Sequence, residues 1–242
     1  MTTLSETKGI VLKTMPYKEA DKLVTVYSYD YGKITLVAKG TKKLTSKNAP
    51  SIQSLTYSEF IINLKKGLCP LIKGTALNYY RHIKDSIEYE IVADYLLEYY
   101  YRYVEENSPS KAAYQFLETM LSALDEGYSY LTVYALINCY ILKTNGVSLF
   151  VDGCTVCKNS HVHAFSADKG GFVCYRHTLG EDKVLMPIAL KALRHIYKCP
   201  PERIHELHLG NEVKDILPIL DYYIDEYCGI HLKAKIFIQT IL

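Results

Sequence analysis

Hydrophobic and polar positions alternate in part within short runs of the first eighty residues, and then the period changes. Leu23, Thr25 and Tyr27 oppose Val24, Val26 and Ser28, and Ile34, Leu36 and Ala38 oppose Thr35 and Val37. A period of two marks a strand with one face turned to a core. Five such runs, at residues 9–14, 22–28, 32–39, 58–64 and 71–77, are short and rich in Ile, Val, Thr and Tyr. The step Asp30-Tyr31-Gly32-Lys33 predicts a tight hairpin, since Gly takes the positive φ that such turns need. Five strands with little helix suit a small closed barrel, an OB-fold first and an SH3-like barrel as runner-up.

Beyond residue 85 the spacing becomes helical. Ile87, Ile91, Val92, Tyr95, Leu96, Tyr99 and Tyr103 recur every three to four positions, and Asp85-x-x-Glu88 resembles a capping box. Ser108-Pro109 predicts the next start, with Ser as cap and Pro at the first helical position. A third helix spans about 129–143 and stops at Asn145-Gly146. Residues 187–198 and 211–227 read as helices, the latter kinked at Pro218. The predicted class is therefore α+β and multi-domain. Residues 1–80 are expected to form a five-stranded OB-fold β-barrel. Residues 81–242 are expected to form an α-helical domain with an inserted hairpin at about 150–180.

Charge sharpens this division. The net charge of +2 hides a strong segregation. Residues 1–84 carry 14 Lys and Arg against 5 Asp and Glu, residues 85–150 carry 3 against 10, and residues 151–242 carry 11 of each. A polyanion is expected on the first module and repelled by the second. The stretch Tyr95–Tyr103, YLLEYYYRY, reads as core plus amphipathic surface, or as a face for a protein partner.

The sharpest chemical signal is Cys154-x-x-Cys157 followed, after a sixteen-residue gap, by Cys174-x-x-His177. Two such pairs across a short hairpin can close a tetrahedron around Zn²⁺. Glycines precede each pair, in Asp152-Gly153 and Gly170-Gly171, and allow tight turns. The expected site is structural, one zinc per chain, held by Cys154, Cys157, Cys174 and His177. His161 and His163 lie between the pairs as competing ligands. The other cysteines, 69, 139, 199 and 228, have no partner spacing and read as packing residues. Seven cysteines is an odd number, which argues against a disulfide framework.

Candidate phosphate contacts cluster in Lys39-Gly40-Thr41-Lys42-Lys43-Leu44-Thr45-Ser46-Lys47 and in Lys65-Lys66, with Lys13 and Arg81 added to the set. Tyr17, Tyr27, Tyr29 and Tyr31 are candidate stacking surfaces for bases. Enzyme signatures are scarce. Lys73-Gly74-Thr75 lacks the frame of a phosphate-binding loop, and neither H-E-x-x-H nor the zinc deaminase pattern occurs. A closed four-ligand zinc site also leaves no position for an activated water. The chain reads as a binding protein without catalysis.

Residues 9–43, GIVLKTMPYKEADKLVTVYSYDYGKITLVAKGTKK, resemble the N-terminal signature of the RecO family of DNA-repair proteins. The steps Tyr17-x-Glu19-Ala20-Asp21-Lys22 and Gly32-Lys33…Ala38-Lys39-Gly40 are the most specific parts. The order of barrel, helical body, knuckles and C-terminal helix resembles the family along the whole chain. His177 stands where a Cys is commoner, and Lys233-Ala234-Lys235 where the family often has Lys-Ser. The resemblance implies a recombination mediator that binds single- and double-stranded DNA and anneals complementary strands. It further implies that, with RecR, the protein helps load RecA on DNA coated with single-strand-binding protein, and that it contacts that protein's C-terminal tail.

The N-terminal twenty residues lack a basic n-region and an apolar h-region, and the apolar run at 131–142 is too short to span a bilayer. A cytoplasmic, nucleoid-associated protein without membrane contact is expected. The alternative is an RNA- or ribosome-associated zinc-ribbon protein. A zinc hydrolase and a pure scaffold are the rivals from other classes.

Overall fold

The computed structural model describes residues 3–43 and 45–241; Leu44, inside the basic segment, lies outside the described residues. Two compact units emerge, Met1–Gly127 with Leu232–Ile238, and Tyr128–His231 with Gln239–Leu242. Strand gives way to helix near residue 80, whereas compact packing changes over at Gly127.

In the first unit β1 (Thr3–Tyr17), β2 (Asp21–Ser28), β3 (Gly32–Ala38), β4 (Tyr57–Leu64) and β5 (Cys69–Asn78) close a barrel in the order β1-β2-β3-β5-β4. Neighbours are antiparallel except β3 and β5, which run parallel with Leu36 opposite Cys69. This is the OB-type arrangement. The first strand outruns its hydrophobic segment because it is shared. Its later part pairs with β2 from Gly9 onward, and its earlier part pairs with β4 up to Ile10.

Val24, Val26, Ile34, Leu36, Phe60 and Ile62 fill the barrel, and Ile52 from the short turn Pro50–Ile52 plugs it. Burying each such side chain stabilises by about 1.5–3 kcal/mol. The outward face of β2 does not meet solvent as simple alternation predicts: Thr25 and Tyr27 are buried too. Helices of the same unit cover it. These are α2 (Ile87–Tyr103) and α3 (Lys111–Asp125), which follow the single turn α1 (Arg81–Lys84). The Tyr27 ring lies edge-on to Tyr100 with centroids 5.0 Å apart, and stacks on Tyr114 at 6.4 Å. The Tyr100 hydroxyl donates to the Ala113 carbonyl at 2.6 Å.

Two helix starts differ from the sequence reading. Ser86, not Asp85, is the N-cap of α2, and its hydroxyl is spent on the Glu88 carboxylate at 2.6 Å. The cap of α3 is Ser110, whose Oγ accepts from Ala113 N–H at 3.2 Å, rather than Ser108. Ser108 is committed elsewhere. Asn107 N–H donates to the Lys33 carbonyl, and a Cβ on Gly32 would meet the Ser108 carbonyl oxygen at 2.6 Å. The chain therefore runs beside β3, bridged at Glu106 and Lys33 and turning at Asn107 with φ +56°, before it can enter a helix.

The second unit is built around α4 (Tyr130–Thr144), capped by Ser129 and stopped at Gly146, where φ is +76°. Asn138, which interrupts its apolar run, is buried and donates to Asp221 at 3.0 Å, beside the Tyr134 hydroxyl at 2.6 Å. A small sheet of β6 (Ala164–Ser166), β7 (Gly171–Val173) and β8 (Lys183–Val184) follows, then α5 (Pro187–Lys198) and α6 (Val213–Tyr223). The predicted 211–227 helix is shorter, keeps Pro218 inside, and continues as a wider turn, Ile224–Cys228. The last helix, α7 (Ala234–Ile241), begins in the first unit, where Ala234 N–H donates to the Glu98 carboxylate at 3.0 Å. No helix among the described residues is long and apolar enough to cross a membrane.

Candidate metal centre and nucleic-acid interface

The first knuckle is a tight turn in which Cys154 N–H donates to the Asn159 carbonyl at 2.8 Å and Lys158 N–H to the Cys154 carbonyl at 2.9 Å. Lys158 takes φ +61°, and a side chain on Gly153 would press against the carbonyls of Lys158 and Asn159. The second knuckle leaves β7 through Cys174 into a short 3-10 turn, with His177 N–H bonded to the Cys174 carbonyl at 2.9 Å. Gly171 is obligatory here: a Cβ would lie 2.2 Å from the Phe150 carbonyl oxygen, which accepts from Phe172 N–H.

These turns bring one ligand atom each from Cys154, Cys157, Cys174 and His177 within 4.8 Å of one another. Cys157 Sγ and Cys174 Sγ are 3.8 Å apart, and His177 Nδ1 is 3.5 Å from Cys154 Sγ and 3.3 Å from Cys174 Sγ. Bonds of about 2.3 Å to sulfur and about 2.05 Å to nitrogen in a tetrahedron place sulfurs roughly 3.8 Å apart and S and N roughly 3.6 Å apart. The four residues thus fit a tetrahedral metal ion. Cys154 and Cys174 are buried while Cys157 is exposed.

Burial pushes the Cys154 thiol up, but N–H groups of Cys157, Cys174 and Val156, with the His177 ring, outweigh it and bring the pKa down to about 6. Cys157 is pulled down by Asn159 N–H, yet burial and the neighbouring sulfurs leave it above the ordinary thiol range. One preformed thiolate, Cys154, beside a second sulfur, Cys157, that resists ionising is what a dication resolves. His161 and His163 are not part of the group: His161 hydrogen-bonds Asn159, and the His163 ring sits edge-on to Tyr175. Asp152 fastens the first knuckle to α5 through Arg194 at 2.9 Å and Lys198 at 2.5 Å. Hydrogen bonding from Lys198 first, then Arg194, holds its carboxyl below the usual range.

The basic candidates separate into groups. The turn Tyr17–Asp21, the start of the 39–56 connection and the 65–68 connection share one barrel end, because β1 ends, β2 starts, β3 ends and β5 starts there. Asp21 Oδ1 accepts from Gly40 N–H at 2.8 Å, and Lys42 donates through N–H to Ala20 and through Nζ to the Lys18 carbonyl. Lys39, Lys42, Lys43, Lys65 and Lys66 are exposed on this rim.

Lys47 lies instead along β5, in a groove of about 610 Å³ with Lys73 and Tyr79. Arg81 is placed with its guanidinium 5.8 Å from the Tyr79 ring. Sequence reasoning missed Lys73 and Tyr79, since their exposure depends on how the 46–50 segment lies across β5. Asn48 sets it there, donating to the Ile72 carbonyl and accepting from Gly74 N–H.

Lys13 stands apart, its ammonium 4.5 Å from the Tyr101 ring in a depression shared with Asp94, Glu98 and Arg102. Lys33, counted in the basic first third, is buried: its Nζ donates to the Tyr101 carbonyl at 2.8 Å, and burial lowers its pKa. Of the four stacking candidates Tyr27 is sealed in the core, and Tyr31 packs against the barrel interior. Tyr29 is the most open by exposure, at 39%, and Tyr17 is half-buried.

The sequence model described as recombination protein O N terminal matches residues 1–80, and the one described as recombination protein O C terminal matches residues 85–236. The chain belongs to the recombination protein O family. Proteins named DNA repair protein RecO from Bacillus cytotoxicus and Bacillus mycoides are 29% and 28% identical to it over 239 residues, which cover 97% of this chain and 96% of each relative. A Bacillus anthracis protein of the same name matches equally far at 28% identity. The family places the chain in DNA repair and recombination.

Proposed function

We propose that this chain is a fuel-free recombination mediator: it holds DNA backbones on the barrel unit, anneals complementary strands, and hands single strands to a recombinase. The observation that carries this is the lysine rim. Five exposed lysines converge on one barrel end from two connections, none of them in an ion pair among the described residues. Ammonium groups so placed displace counterions from phosphates without reading base edges. Bases are left free to pair, and pairing itself drives annealing.

Half of the face that OB-folds commonly offer, over β2 and β3, is closed by Tyr27, Lys33 and the helices above them. The proposed path therefore runs over the rim (Lys39, Lys42, Lys43, Lys65, Lys66) and down the β5 groove past Lys47, Lys73 and Tyr79 to Arg81. Lys13, among carboxylates, contributes least. The division into a barrel domain, residues 1–80, and a helical domain, 81–242, belongs to the same reading: the barrel binds and the helical part supports.

The metal is proposed to be one structural Zn²⁺ held by Cys154, Cys157, Cys174 and His177, a ligand set that fills all four positions and leaves none for a reacting water. Partners by family resemblance are RecR, the C-terminal tail of single-strand-binding protein and, indirectly, RecA, in the cytoplasm. Strand annealing of complementary oligonucleotides, with and without single-strand-binding protein, tests the proposal. Annealing without nucleotide, weakened by rising salt, is expected; annealing that needs ATP, or none at any salt, overturns it.

A further inference from the structure

The opposite end of β2 and β3 carries a depression of about 440 Å³ whose chemistry is the reverse of the rim. Tyr29, Tyr57 and Tyr114 line it, with the carboxylates of Glu6, Asp30, Glu59 and Glu118 around them. Lys8 is the single cation among its lining residues and stands across the strand pair from Glu59. None of the four carboxylates forms an ion pair among the described residues. Asp30 accepts from the Thr7 hydroxyl at 2.7 Å, and the Lys111 ammonium approaches the Tyr29 ring to 5.8 Å from its centroid.

One buried group is left unsatisfied. Tyr114 is 4% exposed, and its hydroxyl, near Tyr57 and Glu118, makes no hydrogen bond of acceptable geometry. A buried hydroxyl without a partner costs about 1–3 kcal/mol, so an occupant that shifts Tyr114 enough to hydrogen-bond it is favoured.

The kind of occupant follows from spacing and sign. A nucleic acid is repelled by four carboxylates. A bare metal ion does not suit them, since the Cys/His cluster is the one metal-compatible group found among the described residues. Dispersed carboxylates around aromatic faces suit a larger, planar cation that stacks and donates several hydrogen bonds at once. A guanidinium does both, where a compact, strongly hydrated ammonium does not. The depression opens to solvent, so a side chain can enter while its backbone stays outside.

We infer that this depression is a docking pocket for an arginine side chain of a protein partner, separate from the nucleic-acid path. It does not rest on the DNA-binding reading, and it assigns to one barrel two ends with opposite clients.

The test uses the full chain and a fluorescent nonapeptide bearing three arginines among Gly and Ser, with its citrulline counterpart as the isosteric neutral control. Glu59→Gln/Glu118→Gln should weaken the arginine peptide roughly tenfold or more, while Glu105→Gln/Glu126→Gln, an equal loss of charge elsewhere, changes it less than about twofold. Tyr114→Phe, which removes only the hydroxyl, should weaken it about threefold with no fall in melting temperature. Should the double variant fail to fold, Asp30→Asn takes its place. Equal effects of the two double variants, or a citrulline peptide that binds as tightly, overturn the pocket. Oligonucleotide affinity measured on the same variants should not fall; a fall would show that this end serves DNA instead.

Discussion

In the knuckle cluster four side chains from two turns lie within 4.8 Å of one another, while the rim lysines stand exposed on connections pinned through their backbones. The cluster is tight because backbone hydrogen bonds fix both turns and because a Cβ at Gly171 would collide with the Phe150 carbonyl. The rim needs no such exactness. Phosphate binding adds up from many weak, interchangeable contacts, each worth about one counterion. Loss of one ligand should therefore collapse the first site, whereas loss of one lysine should only dilute the second.

The largest effect is expected from Cys154→Ser/Cys157→Ser. Stoichiometric zinc, which metal analysis is expected to find in the natural protein, should be absent from the variant, and the second unit should lose on the order of 4 kcal/mol, read by denaturant melts. Retention of zinc by this variant would show that the four residues do not hold it. Gly171→Ala keeps every ligand but pushes a methyl into the Phe150 carbonyl. A loss of about 2–3 kcal/mol is expected, with zinc still bound at saturating metal, which separates the scaffold from the ligands.

Glu98 offers a smaller contrast in the first unit. Burial pushes its carboxyl up, but N–H groups of Ala234 and Lys233, with Arg102, outweigh it and hold it below the ordinary range. A depressed carboxylate adds stability above its unfolded pKa, near 4.3, and loses it as pH falls through the lower folded value. Glu98→Gln should therefore cost about 1 kcal/mol at neutral pH, and the gap should close below about pH 4. A gap that persists in acid would mean that packing, not charge, holds the start of α7.

The same contrast explains what was legible in the sequence. Cys-x-x-Cys and Cys-x-x-His encode a local geometry, so residues 154, 157, 174 and 177 could be read directly, and the structure gathers those four and leaves His161 and His163 out. All five strands were legible from partial alternation and richness in Ile, Val, Thr and Tyr, the first of them only from residue 9 to 14, and α5 was legible over residues 187–198. What failed depends on tertiary contacts. Tyr27 and Lys33 look like surface residues until α2 and α3 cover them. Ser108 looks like a cap until β3 claims it. Lys73 and Tyr79 sit on an unremarkable strand, and only the segment laid over β5 by Asn48 turns them into a groove. The acidic pocket was invisible for the same reason: its carboxylates come from four separate elements.

Oligonucleotide affinity as a function of salt, compared between the natural protein and Lys39→Glu/Lys42→Glu/Lys43→Glu/Lys47→Glu, tests the lysine account most directly. The account predicts that the variant loses affinity uniformly across sequences, by roughly a hundredfold or more at low salt. The slope of log affinity against log salt should flatten by about 3–4. An unchanged slope with unchanged affinity would contradict it and move the polyanion site off this end of the barrel.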